Sequence, residues 1–280
     1  MGNVGAKLLV QVKYNGTSTH PFTCISGSNV EGTIFLGVDH DTVSCSQLRV
    51  KILGHESATV AYTETERYTD HEGKSQTREI TRHATQSCIF YNHDDCIFVF
   101  TQGQVSKGRY EFPFSVRLPD NLPSSYSGPS CYVRYTLEVR LDRPGMTHWD
   151  VTNTITIPVA KAVPRPDPHP LLMGPNNAAI SFCCKSTGFI SLGAMSTKPS
   201  LTPGEEVKLY YGIANNSHTK VKAVSVTIYE KLRLSADGYS ESIQTTLYTN
   251  RVDAALILGA YEGEPAAGLA QVCIHITSQC

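Results

Sequence analysis

Cys88, His93 and Cys96, with Asp94 and Asp95 between the last two, are the residues whose types and spacing come nearest to a chemical site. Two thiols and an imidazole can supply half of a tetrahedral zinc site. A structural site needs four ligands, however, and no matching second pair follows at the usual spacing. The competing reading is core thiols beside a polar hairpin. Cys183 and Cys184 are adjacent, so on a strand they point to opposite faces. His40, His71 and His83 stand beside acidic or basic residues, yet no H-E-x-x-H, G-x-S-x-G or Gly-rich phosphate loop accompanies them. The sequence therefore predicts no catalytic residue, no cofactor and no metal. A site assembled from dispersed residues is the enzymatic alternative that one sequence leaves open.

The elements that would carry these groups read as strands. Apolar residues alternate at Leu8, Val10, Val12 and Tyr14, then at Ile34, Leu36 and Val38, and again at Leu48, Val50 and Ile52. The pattern returns at Val207, Leu209, Tyr211 and Ile213 and at Val224, Val226 and Ile228. Short alternating runs separated by Gly, Asn, Asp and Ser clusters predict antiparallel β-sandwiches. Cys96 to Phe100 is apolar on both sides, which predicts a strand covered on both faces or a bulged core strand. Glu64 to Arg82, dense in alternating charge and centred on Gly73, has two readings. It is a long solvated hairpin with strands Tyr62–Tyr68 and Thr77–Thr85, or a loop that contacts a partner.

Residues 108–144 are the most informative stretch. Val133, Tyr135, Leu137, Val139 and Leu141 fall on one face of a strand, with Arg134, Thr136, Glu138 and Arg140 on the other. Proline cannot donate to a ladder, so Pro113, Pro119 and Pro123 confine their run to an edge, a strand end or an extended loop. The series Gly108, Tyr110, Phe112, Pro113, Phe114, Leu118, Pro119, Leu122, Pro123, Ser124, Ser125, Tyr126 and Gly128 is followed by Val133, Arg134, Tyr135 and then Arg143-Pro144. It resembles the arrestin-domain family, most closely the α-arrestins, in their G-x-Y-x-F-P-F-x-x-x-L-P-x-x-L-P-S-S-[FY]-x-G segment, V-R-Y and R-P. Cys183 to Leu192, Leu201-Thr202-Pro203-Gly204-Glu205 and Asn215-Asn216-Ser217 resemble the start of that family's carboxy-terminal half. The resemblance spans about residues 5 to 232 and fades beyond.

The resemblance implies an all-β protein of two immunoglobulin-like antiparallel sandwiches. It implies a non-enzymatic adaptor that binds membrane-protein cargo through loops and sheet edges, in endocytosis, protein transport and ubiquitin-dependent sorting. Trafficking or ubiquitin-ligase machinery would be its partners, although the P-P-x-Y motif by which family members recruit WW-domain ligases is absent from this sequence. A retromer-type arrestin-like sorting subunit and a structural or cytoskeletal sandwich protein are the alternatives.

Composition sets outer bounds. The 280 residues, 40% hydrophobic, suffice for a substantial core, and a formal charge of -1 offers no bulk attraction to nucleic acid. The first residues lack an apolar signal core, and no window holds the roughly 18 apolar residues of a membrane span. Nine cysteines, an odd number without framework spacing, suit a reducing compartment. The expectation is a cytoplasmic chain, peripheral at plasma membrane or endosomes, in which the Asn15-Gly16-Thr17 and Asn215-Asn216-Ser217 sequons are idle. Gly2 is a candidate for acylation, but Ala6 stands where that motif has Ser or Thr. Pro158, Pro164, Pro166, Pro168, Pro170 and Pro175 predict a semi-rigid spacer, or less readily a ligand for SH3 or WW domains. The expected division is a sandwich at 1–158, a linker at 159–176 and a second sandwich at 177–280. Because Ala254–Ala260 and Gly263–Gly268 are rich in small residues that pack poorly in strands, the second sandwich is expected to be incomplete.

Overall fold

The computed structural model of the chain describes residues 5–16, 21–145, 149–162, 171–182, 185–196, 206–217, 220–253 and 268–275. Two compact units result: residues 1–162 together with 233–242, and residues 163–232 together with 243–280.

In the first unit the period-2 pattern becomes two facing sheets. Strands β1 (Ala6–Lys13), β3 (Asn29–Ser44) and β6 (Gln104–Arg117) form one antiparallel sheet in the order β1-β3-β6; β2 (Cys24–Ile25) lies between the first two in sequence. The other sheet runs β5 (Ser75–Val99), β4 (Gln47–Thr69), β8 (Cys131–Asp142), β7 (Tyr126–Ser127), with β9 (Val151–Ile157) also on β8. Strand β10 (Val159–Ala160) pairs in parallel with β2.

Side chains that alternate inward meet between the sheets. Leu8, Ile34, Leu36, Phe114 and Val116 come from one side, and Leu48, Val50, Ile52, Leu137, Val139 and Leu141 from the other. Each fully buried aliphatic side chain contributes roughly 1.5–3 kcal/mol. The register of β6 on β3 sets Tyr110, Phe112, Phe114 and Val116 opposite Leu36, Ile34, Gly32 and Val30. Gly32 is required by that packing: a Cβ there would lie 2.6 Å from the Phe114 ring and 2.3 Å from the Gln11 carbonyl oxygen. Pro113 sits on an edge strand of this sheet, where its missing N–H leaves no hole in a ladder.

Cys96 to Val99 ends β5 as a bulged edge strand, with Ile97 and Phe100 only partly buried against the core. Phe98 opposes Leu48 while Cys96 opposes Arg49, so Ile97 is the extra residue. Phe98 is 44% and Val99 53% exposed, and Phe98 meets Phe100 and Phe112 at ring-centroid distances of 4.9 and 5.0 Å.

In the second unit β11 (Leu171–Phe182), β12 (Lys185–Ser196), β13 (Glu206–Ser217) and β16 (Gly268–His275) form an antiparallel sheet in that order. Pro175 falls in the register shift between Met173 and Asn176, where the ladder is already interrupted. β14 (Ala223–Ala236) pairs with β15 (Tyr239–Asp253), and residues 233–242 at the tip of this hairpin belong to the first unit. Strand formation thus extends well beyond Tyr229, while residues 254–267, which hold nearly all of the small-residue run, lie outside the described residues. Asp237-Gly238, both with positive φ, makes the two-residue turn of a hairpin, and β15 is rich in β-branched threonine. Gly268–His275 pairs along β13 from Ile213 to Glu206. Gly2, Pro164, Pro166, Pro168, Pro170, Cys183, Cys184, Pro203, Gly204 and Glu205 lie outside the described residues. Among the described residues no helix is long and apolar enough to cross a membrane.

Leu137, with no exposed surface, opposes Ile52 and Ile155 in the middle of its sheet. Leu137→Ala is expected to destabilise the first unit by about 2–5 kcal/mol, the usual cost of a large-to-small core change. Glu138→Ala, on the opposite face, should cost under about 0.5 kcal/mol. Urea unfolding monitored in the first unit checks the pair, and the reverse order would mean that the strand register is wrong.

Candidate functional site

Most residues of the proline-ruled run are placed where they build the fold. Phe114, Leu118 and Leu122 are buried, Tyr110 and Phe112 are partly buried against the core, and Tyr135 is fully enclosed. Gly108 leads into this run beside the Tyr110 ring, whose hydroxyl donates to the Ser106 carbonyl at 3.0 Å. Val133 is partly buried, while Arg134 is exposed with its guanidinium 5.0 Å from the Tyr132 ring centroid. The Tyr135 hydroxyl donates to the Pro123 carbonyl at 2.7 Å, tying the centre of β8 to the loop; burial pushes the phenol well above its ordinary range.

That loop in turn holds the chain as it leaves the last strand. Tyr126 pairs with Val133 in the short β7 ladder. Ser125 donates its amide to the Val159 carbonyl at 2.7 Å and accepts the Val159 amide on its Oγ at 2.9 Å. Ser124 Oγ accepts the Lys161 amide at 2.9 Å. From the other side the Cys24 and Ser26 amides donate to Pro158 and Ala160, each at 2.8 Å, and Ser26 Oγ accepts the Ala162 amide at 2.8 Å. Asn15 orders the Cys24 turn, receiving the Ile25 amide at 3.0 Å and donating to Ser28 Oγ at 2.6 Å. Residues 158–162 are therefore gripped by hydrogen bonds from two loops. Pro119, exposed, accepts the Gly27 amide at 3.1 Å and joins those loops.

The second feature is a β-ribbon. Pairing of β4 with β8 stops at Ala58–Cys131, whereas pairing of β4 with β5 continues to Thr69–Ser75. Residues 59–69 therefore run about 33 Å past the sheet at 3.3 Å per residue. The expected hairpin forms and is longer than its Tyr62–Tyr68 and Thr77–Thr85 reading. Its turn closes when Asp70 Oδ1 accepts the amides of Glu72 at 3.0 Å and Lys74 at 2.9 Å; these bonds, led by that of Lys74, hold the Asp70 carboxyl below its usual range.

The ribbon's two faces differ. One carries Glu64 and Glu66 against Arg82 and Arg78, with the Arg78 guanidinium also 5.3 Å from the Tyr68 ring centroid. Residues 233–242, part of this same unit, meet that face. Tyr239 stacks on Tyr62 with centroids 3.7 Å apart and planes 12° from parallel, the Ala61 amide donates to Glu241 Oε2 at 3.3 Å, and the Asp237 amide to Gln86 Oε1 at 3.1 Å. The other face is a ladder of hydroxyls, including Ser57–Ser87 at 3.0 Å and Thr59–Thr85 at 2.9 Å.

Cys88 and Cys96 are exposed because β5 is an edge strand, which corrects their reading as core thiols; Cys24 and Cys45 are the buried ones. Burial pushes the Cys24 thiol up to about 11. The Cys88 thiol donates to Glu56 Oε1 at 3.2 Å, and that bond raises its pKa. His93 lies beside Tyr91, and Asp94 is bonded to Arg49 at 2.9 Å. Among the described residues no three His, Cys, Asp or Glu side chains converge as metal ligands. His71 and His83 are exposed, and the side chain of His40 lies outside the description.

A family described as Arrestin (or S-antigen), N-terminal domain, matches residues 12–161. Arrestin domain-containing protein 17 of Caenorhabditis elegans is 31% identical over 133 residues, covering 44% of this chain. The matched stretch is 30% of that relative's length.

The Val159 amide and carbonyl are both satisfied by Ser125. Ser125→Ala should leave that buried amide without its acceptor and destabilise the first unit by about 1–3 kcal/mol. Ser124→Ala, whose partner Lys161 is exposed, should cost less. Equal or negligible losses in urea unfolding would show that the loop does not hold this segment.

Proposed function

The chain belongs to the arrestin family, and from that premise we propose that it acts as a non-enzymatic adaptor that captures membrane-protein cargo for endocytic sorting. The observation that carries the reading is the match of the arrestin amino-terminal domain to the unit that carries the ribbon. Beyond Ala61, whose amide is taken by Glu241 as that of Thr59 is by the Ser130 carbonyl, that ribbon has a free edge on β4 as well as on β5 among the described strands. Unpaired backbone N–H and C=O groups on such edges accept an extended segment, and flanking side chains select it. The turn at 70–74 brings Asp70, His71, Glu72 and Lys74 together at the far end, a set of donors and acceptors suited to a charged polar segment.

Work at the cytoplasmic side of the plasma membrane or of endosomes is part of the same proposal. So is a connection to a ubiquitin ligase, made by a contact other than a P-P-x-Y motif. Attachment to the membrane through cargo needs no lipid on Gly2, since a single acyl chain binds only marginally.

The test is to shorten the ribbon by replacing residues 63–81 with Asn-Gly, which keeps the Tyr62–Arg82 pair as the last rung. Surface proteins are biotinylated in cells lacking the chain, and their internalisation is followed after returning the intact or the shortened form. Uptake of a subset of membrane proteins should be restored by the intact chain and not by the shortened one. Full restoration by the shortened form would overturn the assignment of cargo capture to the ribbon.

A further inference from the structure

We propose that the free edge of β5 is a self-association surface, on which residues 75–87 pair antiparallel with the same residues of a second copy, centred on Thr81. This goes beyond the adaptor reading and does not depend on any cargo.

The first observation is the state of the edge. β5 is paired on one side only among the described strands, and its bulges, at Phe90 and Ile97, both lie outside 75–87. Natural edges are blunted by proline, by charged side chains, above all lysine, or by bulges. Residues 75–87 have no proline, lysine or bulge, and Arg78 and Arg82 are neutralised by glutamates of β4. A two-stranded ribbon is marginal alone and gains its stability in sheets of three or more strands. Joining two ribbons edge to edge makes a four-stranded sheet without new loops.

The second observation is charge. On the β5 side of the ribbon, Arg78 and Arg82 are each paired with a glutamate of β4. Glu79 and His83 oppose Thr65 and Ala61 and make no ion pair among the described residues. Both side chains are exposed on the hydroxyl-bearing face, four residues apart along one strand. A two-fold axis perpendicular to the ribbon brings like faces together, so paired residue numbers must sum to an even constant.

Centring the axis on Thr81 places each Glu79 opposite the His83 of the other copy, twice over. In the same register Thr77 meets Thr85, Ser75 meets Ser87, and Thr81 meets itself, which continues the hydroxyl ladder across the junction. Centring on Ile80 instead sets Arg78 opposite Arg82 twice, a repulsive arrangement. Centring on Arg82 separates Glu79 from His83. The match of a carboxylate acceptor to an imidazole N–H, together with the avoidance of opposed arginines, therefore selects one register, and the bulge at Phe90 ends the ladder just beyond it.

The register is read directly by cross-linking the full chain in a Cys88→Ser/Cys96→Ser background. Directly opposed residues in an antiparallel pair have Cα atoms about 4.5–5.5 Å apart, within disulfide reach. Thr81→Cys should give a covalent dimer on mild oxidation. Thr77→Cys alone should not, but mixed with Thr85→Cys it should give a heterodimer. In sedimentation equilibrium, Glu79→Lys and His83→Glu should each weaken association about tenfold through mismatched charge, and Glu79→His/His83→Glu should restore it. A chain that stays monomeric at all concentrations, a dimer indifferent to these changes, or cross-linking through Thr77→Cys alone would overturn the proposal. Cargo uptake plays no part in these readouts, so their failure leaves the adaptor reading standing.

Discussion

The hydrogen bond from the Tyr135 hydroxyl to the Pro123 carbonyl is the constraint on which the first unit depends most. Tyr135 has no exposed surface, so its hydroxyl must find a partner inside the protein, and an unsatisfied one would cost about as much as a lost core methyl group or more. By taking the Pro123 carbonyl it fixes a loop in which Pro119 and Pro123 supply no backbone donor. Once fixed, the loop presents Ser124 and Ser125 to residues 158–162. The way the chain leaves the first unit is thus set by a side chain in the middle of β8.

The same tyrosine shapes the edge of its sheet. The Phe90 ring stands edge-on to Tyr135 with centroids 5.5 Å apart, and it reaches that place because Phe90 is the extra residue of a bulge and Gly54 has no side chain. A Cβ on Gly54 would lie 2.7 Å from the Phe90 ring. The bulge that seats Phe90 also marks where β5 leaves the packed sandwich and becomes one side of the ribbon. Packing into the core between the sheets ends there, and the ribbon beyond is held by cross-strand pairs, ion pairs, the buried Val60–Ala84 pair and the stack on Tyr239. Exposed ion pairs of that kind contribute little each, in the range of about 0–1 kcal/mol. The ribbon is accordingly the part of this unit with most to gain from a partner.

Much of this was legible in the sequence, for physical reasons that differ by element. Val133 to Leu141 announces itself because a strand buried on one face must alternate, and a one-residue slip would expose every apolar side chain. The hairpin centred on Gly73 was readable from its charges, but its length was not, since serine and threonine on one face carry no apolar period. Cys88 and Cys96 read as core thiols because burial of a residue on an edge strand depends on what the fold places beside it. The roles of Ser124 and Ser125 were hidden because their partners are 37 and 34 residues away and are backbone amides, which no side-chain pattern reveals. Asp237-Gly238 was a plain hairpin signal that the small-residue composition farther along overshadowed. Among the motif residues, Phe114, Leu118, Leu122 and Tyr135 are buried in the core, and Pro123 belongs to the loop that Tyr135 holds.

Tyr135 holds the proline loop, and through it residues 158–162. Native-state hydrogen exchange on the Tyr135→Phe variant tests it most directly. Exchange should quicken at the Ser125, Val159 and Lys161 amides, with the amides of Val50 and Ile52 unchanged. Uniform acceleration through both groups, or none in either, would contradict it.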